Sequence, residues 1–126
     1  MRLLLLATTG GAIGAGARHL VNVACATAWG GRYPWATLIV NVLGSFLMGI
    51  VIELAAARLD GGLELRTFLA TGILGGFTTF SAYSNDVVTL AARGETIAAL
   101  LYASGSVALS ILALVAGLAA MRWIAS

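Results

Sequence analysis

The chain has 126 residues, of which 60% are hydrophobic and 10% charged. A soluble domain carries about a quarter charged residues, so this composition excludes one and indicates a membrane protein. The net charge of +2 comes from scattered arginines with no lysine, which excludes a nucleic-acid-binding patch.

A membrane-crossing helix takes about 20 apolar residues. The length holds four of them with short connections and no soluble domain, so residues 1–126 read as one all-α transmembrane domain. Cys25 is the single cysteine and cannot form an intrachain disulfide. No Cys/His spacing suggests a metal site, and Cys25 reads as a small apolar residue in a helix.

Arg2, the run Leu3 to Leu6, and Ala15-Gly16-Ala17 imitate a signal peptide and its cleavage site. Apolar character resumes after Arg18 and runs through Val21 to Ala28, so an uncleaved first span is expected, from about Leu3 to Ala26. Gly10 and Gly14 form a GxxxG pair that lets another helix approach closely. Arg18 and His19 interrupt the second half. Arginine at the bilayer centre costs roughly 2.5–3.5 kcal/mol on insertion scales. Arg18 therefore either snorkels to the headgroups or stands in an anion vestibule; His19 reads as interfacial.

Trp29 to Trp35 form a loop with aromatic residues at the water boundary, and Pro34 suits the first turn of a new helix. The second span is expected from about Trp35 to Ala57. Thr37, Asn41 and Ser45 fall at i, i+4 and i+8, on one face. Asn41 is the costly member, with amide donors and an acceptor near mid-membrane. An interhelical hydrogen bond would explain it alone, whereas three aligned polar residues suit a wet pathway.

Arg58, Asp60, Gly61, Gly62, Glu64 and Arg66 make the most polar loop, which Glu53 can reach from inside span 2. The third span is expected from about Leu65 to Ala92, and its sequence argues against one continuous helix. Gly72, Gly75 and Gly76 weaken the helix, while Thr78, Thr79 and Ser81 offer hydroxyls that can cap a restart. The two halves are expected at about Leu65 to Leu74 and Phe80 to Ala92. Broken backbone at membrane depth persists only where protein, ion or water supplies hydrogen-bond partners; in transporters such half-helix ends are often ion sites. A glycine-rich packing kink is the plainer reading.

Asp86 lies in the second half, where a charge implies water or a partner. After the turn Arg93-Gly94-Glu95 comes the fourth span, about Thr96 to Trp123, with Tyr102, Ser106 and Ser110 as a second polar stripe. Arg122 and Trp123 anchor its end at an interface. Four spans place Arg2, Arg58, Arg66 and Arg122 on one side, and Arg32 and Arg93, with Arg18 if it snorkels that way, on the other. So weak a positive-inside bias allows insertion both ways round.

At this point the residues resemble a known family. Gly75-Gly76-Phe77-Thr78-Thr79-Phe80-Ser81 looks like the signature of the bacterial fluoride channels, the Fluc or CrcB family. Gly10-Gly11 through Arg18, Thr37 to Asn41 followed by Gly44, and the Tyr102/Ser106/Ser110 stripe match in register, so the resemblance spans essentially the whole chain. It implies an antiparallel homodimer of four-helix subunits in the bacterial cytoplasmic (inner) membrane, with two fluoride pores and a structural sodium ion at the centre. It casts Asn41 as a pore-lining donor and Phe80 as an aromatic that coordinates fluoride. Tyr83 stands where the family has a second phenylalanine, and Ala82 where a threonine is usual.

The residue chemistry suits that implication. Fluoride is small and strongly hydrated, so a pore must replace its water with closely placed donors. Thr37, Asn41, Ser81, Ser84, Ser106 and Ser110 can donate hydrogen bonds, and a ring edge of Phe80 or Tyr83 can face an anion without a full charge that would trap it. For Tyr83, the ring edge and the hydroxyl are alternative donors. Carbonyl oxygens freed at Gly75 and Thr78 are hard donors that suit an alkali ion, which the resemblance names as sodium.

A small multidrug exporter would also be four-spanning and dimeric, but it needs an embedded glutamate in its first span, and span 1 has no acidic residue. An assembly factor built only on glycine packing would leave both polar stripes unexplained. No nucleophile–base pair or metal-ligand set suggests an enzyme.

Overall fold

A computed structural model of the chain describes residues 1–57 and 62–126, with the side chain of Ala125 left out. Arg58, Asp60 and Gly61 of the polar loop lie outside the described residues. Among the described residues all regular structure is helical: α1 (Arg2–Trp29), α2 (Trp35–Ala56), α3 (Gly62–Arg66), a π-helical stretch (Thr67–Leu74), α4 (Gly75–Phe77), α5 (Phe80–Ala92) and α6 (Thr96–Ala125). The segments from α3 to α5 run on as one interrupted rod, so the described residues form four helical rods.

The spans α2 and α6 have mean hydropathies of 2.2 and 2.1 and are long and apolar enough to cross a membrane. The outer faces of α1, α2 and α6 are apolar too. Leu4 and Leu20 of α1, Leu43 of α2, and Ile97, Leu100 and Leu112 of α6 are all exposed, which suits lipid or another protein chain, not water. Two turns close on glycine in the left-handed region, Gly30 at φ 73° and Gly94 at φ 79°. Trp29, Tyr33 and Trp35 pack ring against ring beside the first of them.

Glycine positions two seams. Along one, α2 meets α6 so closely that a Cβ at Gly49 would fall on the Leu114 carbonyl, and one at Gly117 on the Phe46 carbonyl. Along the other, α1 lies against the π-helical stretch and α4. A Cβ at Gly10 would stand 2.6 Å from the Phe68 carbonyl oxygen, and one at Gly14 would fall on the Ile73 carbonyl. The Gly10/Gly14 pair thus admits a close neighbour, as its spacing predicts.

The break differs from expectation in position. The chain stays helical through Gly72, Gly75 and Gly76 as far as Phe77, and only Thr78 (φ −83°, ψ 160°) and Thr79 (φ −156°, ψ 120°) are extended. The first half therefore ends three residues beyond Leu74. Its glycines serve contact: Gly72 faces Gly10, and Gly76 faces the Gly11 carbonyl. The helix widens before it stops, with the Gly75 amide reaching back to the Ala70 carbonyl, an i to i−5 bond. The second half begins at Phe80, as the sequence predicts, with Thr79 as its N-cap: the Ala82 amide donates to Thr79 Oγ1 at 3.2 Å.

Candidate ion pathway

The extended dipeptide opens onto a groove of about 440 Å³ lined by Asn41, Gly44, Ser45 and Met48 of α2, Thr78 and Thr79, Phe80 and Tyr83 of α5, and Ser106, Val107, Ser110, Ile111 and Leu114 of α6. The two polar stripes read from the sequence converge here. Asn41 and Ser45 supply one wall, and Ser106 and Ser110 the other. Every polar lining side chain is neutral, and the rest are aliphatic, thioether or aromatic.

The remaining members of the stripes lie deeper. Thr37 and Tyr102 are buried rather than groove-lining, Tyr102 at 1% exposure in a cluster with Leu90 and Ala99. Tyr102 donates its hydroxyl to Asp86 Oδ2 at 3.1 Å, which gives the carboxylate of α5 a protein partner. Ser106 is also buried.

The aromatic residues form a column. Phe80 and Tyr83 have ring centroids 5.4 Å apart, and Tyr83 and Tyr102 5.6 Å. The Tyr83 hydroxyl donates to the Ala103 carbonyl at 2.8 Å, so what remains to face the groove is ring. Phe80 is 76% exposed on this chain. Ser81 and Ser84 do not line the groove. Ser84 donates to the Phe80 carbonyl at 2.9 Å, and Ser81 Oγ lies 3.2 Å from Thr79 Oγ1.

Asn41 holds the break directly. Its Nδ2 donates to the Thr79 carbonyl at 3.0 Å, and its Oδ1 accepts from the Thr79 amide at 2.8 Å. In a continuous helix the Thr79 amide would bind the Gly75 carbonyl, and the Ala82 amide the Thr78 carbonyl. The first goes to Asn41 and the second to the Thr79 hydroxyl. Both carbonyls therefore lack their helical partner, and Gly75 is exposed on this chain. Thr78 is fixed from both sides: its amide and hydroxyl donate to the Leu74 carbonyl, each at 2.9 Å, and its methyl occupies the space a Cβ at Gly44 would need.

The ion pairs sit towards the helix ends. Arg122 pairs with Glu53 at 3.0 Å, Arg2 with Glu64 at 2.9 Å, and Arg32 with Glu95 at 3.6 Å. Glu53 thus reaches the surface that its position in span 2 suggests. Arg18 is half-buried on α1, away from the groove lining, and makes no ion pair or hydrogen bond among the described residues.

Two residues central to this geometry were not singled out as site residues from the sequence. Thr79 contributes its amide, its carbonyl and its hydroxyl, and Gly44 contributes room. Both lie within the stretches that carry the family resemblance, which was the available signal.

Comparison with known proteins agrees with that resemblance. The family described as CrcB-like protein, Camphor Resistance (CrcB), matches residues 5–118. A protein of Chelativorans sp. (strain BNC1) named fluoride-specific ion channel FluC is 55% identical over 115 residues, 91% of this chain and 92% of the relative. Proteins of the same name from Mesorhizobium japonicum and Rhizobium johnstonii are 52% and 48% identical, over 91% and 96% of this chain and 92% and 97% of their own length. A match of this identity over nearly the full length establishes kinship: the chain is a membrane protein of the CrcB/FluC family.

Proposed function

We propose that the chain is a fluoride-specific ion channel, not an enzyme, and that it lets fluoride leave the cell passively across the bacterial cytoplasmic membrane. Its relatives bear the name of that activity at about half identity. The observation that carries the mechanism is the groove: neutral donors on two walls, aromatic rings on a third, and no charged side chain in its lining. A strongly hydrated anion gives up water only to closely placed donors, and it leaves again only if no full charge holds it. Asn41, Ser106 and Ser110 supply donors, and the edges of Phe80 and Tyr83 supply positive rims. Thr37 and Tyr102 continue this polar track into the protein. Ser81 and Ser84 flank the mouth of the restarted helix, whose amide end favours an anion. Arg18 serves as a vestibule charge that draws anions towards the entrance.

The working unit is an antiparallel homodimer. One chain leaves Phe80 and Gly75 exposed beside a groove open on one side, and a second copy would close it. A two-fold axis then gives two equivalent pathways, and the near-even arginine distribution permits opposite insertion. At the axis, the carbonyls of Gly75 and Thr78, deprived of their helical amides, form a set of hard donors for a structural sodium ion shared by both subunits. A proton-coupled exporter is disfavoured, since no carboxylate lines the groove.

The cellular test is growth of a fluoride-sensitive bacterium that lacks its own fluoride exporter. Expression of this chain should restore growth in fluoride, and Phe80→Ile should not; failure of the wild-type chain to protect would remove the reading. A tag on the C-terminus should be reachable from both sides of the membrane. Detection on one side only would contradict the antiparallel dimer.

A further inference from the structure

The pairing between Asn41 and Thr79 has a conformational requirement. In an α-helix the amide and carbonyl of one residue point in opposite directions along the axis. In an extended residue they point to the same edge, as in an antiparallel strand pair. Thr79, at φ −156° and ψ 120°, is extended. The Asn41 carboxamide meets that edge as a neighbouring strand would, accepting at 2.8 Å and donating at 3.0 Å. A helical Thr79 could not satisfy both bonds.

The same face of α2 supplies a steric half. Gly44, three residues on, leaves the room occupied by the Thr78 methyl. The Thr79 hydroxyl, caught by the Ala82 amide, closes the restart on the other side. The break is therefore built by α2, not by the glycines that precede it, through which the chain remains helical.

We infer that Asn41 is a positioning residue that pins Thr79 extended, holds the third rod broken, and thereby keeps the Gly75 and Thr78 carbonyls out of helical hydrogen bonds. This goes beyond a donor that meets a passing ion. The pinning commits Oδ1 and one hydrogen of Nδ2, and it fixes the amide's orientation, since the Thr79 amide can only donate and its carbonyl can only accept. One Nδ2 hydrogen remains uncommitted among the described residues. The role in conduction rests on the fluoride-channel reading, but the pinning itself is independent of the ion.

The test separates the two bonds and the two roles. Site-resolved hydrogen exchange of the Thr79 amide is measured in lipid nanodiscs for the wild type, Asn41→Leu, Asn41→Ser and Asn41→Asp, with fluoride efflux from liposomes in parallel. Asn41→Leu removes both bonds, and serine is too short to bridge both groups. Each should speed Thr79 exchange roughly tenfold or more while the amides of α2 and α6 away from residue 41 keep their rates. Asn41→Asp keeps the acceptor and places a negative charge beside the groove. It loses the bond to the Thr79 carbonyl, which can only accept, so Thr79 exchange should fall between wild type and Asn41→Leu while fluoride efflux is lost outright, and the two readouts part company. Thr79 exchange equal to wild type in both Asn41→Leu and Asn41→Ser would overturn the inference, as would an unprotected Thr79 amide in the wild type, which needs no variant to fold. Absence of wild-type fluoride efflux would instead count against the channel reading and leave the exchange result to decide the pinning.

Discussion

The two glycine seams use the same residue for different ends. Between α2 and α6, Gly49 and Gly117 bring two helices into backbone contact, and both helices run on unbroken. Between α1 and the third rod, Gly10, Gly14, Gly72 and Gly76 make an equally close contact, and the rod widens into a π-helical turn and then stops at Thr78. Glycine is common to both seams, so it does not explain the break. Among the described residues only the third rod meets a polar side chain, Asn41 of α2, that takes both main-chain groups of an extended residue. Small residues set how near two helices come; a polar partner sets whether the backbone can leave the helix at membrane depth.

The largest expected effects test the shared half of this comparison. A Cβ at Gly14 would fall on the Ile73 carbonyl and one at Gly49 on the Leu114 carbonyl, whereas nothing lies within 4 Å of one at Gly16 or Gly105. Gly14→Ala and Gly49→Ala should each cost about 1–3 kcal/mol by overpacking against backbone that cannot give way. Gly16→Ala and Gly105→Ala should be near neutral. Thermal denaturation in detergent, followed by size-exclusion chromatography, reads the difference, and equal behaviour of the four would show the seams to be looser than described.

Next come the two rings of the aromatic column that line the groove, Phe80 and Tyr83, both on the broken rod. Phe80→Ile keeps apolar bulk and removes the ring edge, so fluoride efflux should fall on the order of tenfold, an interaction of about 1.4 kcal/mol in the pathway, with the protein still folded. Wild-type flux in this variant would reduce Phe80 to packing.

The cap at the restart should weigh less. Thr79→Val removes the hydroxyl that accepts from the Ala82 amide but leaves the main-chain pairing with Asn41. A loss of about 1 kcal/mol in stability is expected, and Thr78→Ser, which keeps the hydroxyl bonded to Leu74, should lose less. Tyr83→Phe removes the 2.8 Å bond to the Ala103 carbonyl, worth about 0.5–1.5 kcal/mol, and should retain conduction because the ring stays. Complete loss of flux in a well-folded Tyr83→Phe would mean that the hydroxyl is the working group.

At the small end stands the ion pair of Arg122 and Glu53, whose arginine side chain is 66% exposed. Arg122→Gln should change stability by less than about 1 kcal/mol, and by less still in high salt. A larger loss would place that pair in the structural frame of the α2–α6 seam.

Much of this was legible from residue types. The four rods follow from apolar length, the restart near Phe80 from the hydroxyls that can cap it, and the two stripes, Asn41 with Ser45 and Ser106 with Ser110, from four-residue periodicity; that the stripes face one another depends on packing, not on local sequence. Residue types alone place the end of the first half three residues early, at the glycines, because the role belongs to Asn41, 38 residues away. Such a partner has no local signature. The π-helical widening over Thr67–Leu74 has no signature in residue type either, and it coincides with the close approach of Gly72 to Gly10. The Tyr83 hydroxyl could not be assigned because its acceptor is a main-chain carbonyl of α6, and every residue there offers one. Ser81 and Ser84 have hydroxyls that can donate, but short hydroxyls on a helix bond readily to nearby main-chain and side-chain oxygens, as both do here.

The most direct measurement is halide efflux from liposomes that contain the purified protein, with fluoride and chloride compared under the same potassium gradient and with no pH difference across the membrane. A groove walled by neutral donors and ring edges predicts rapid fluoride release, negligible chloride release and no need for a proton gradient. Chloride release as fast as fluoride, or fluoride release only when a proton gradient drives it, would contradict the account.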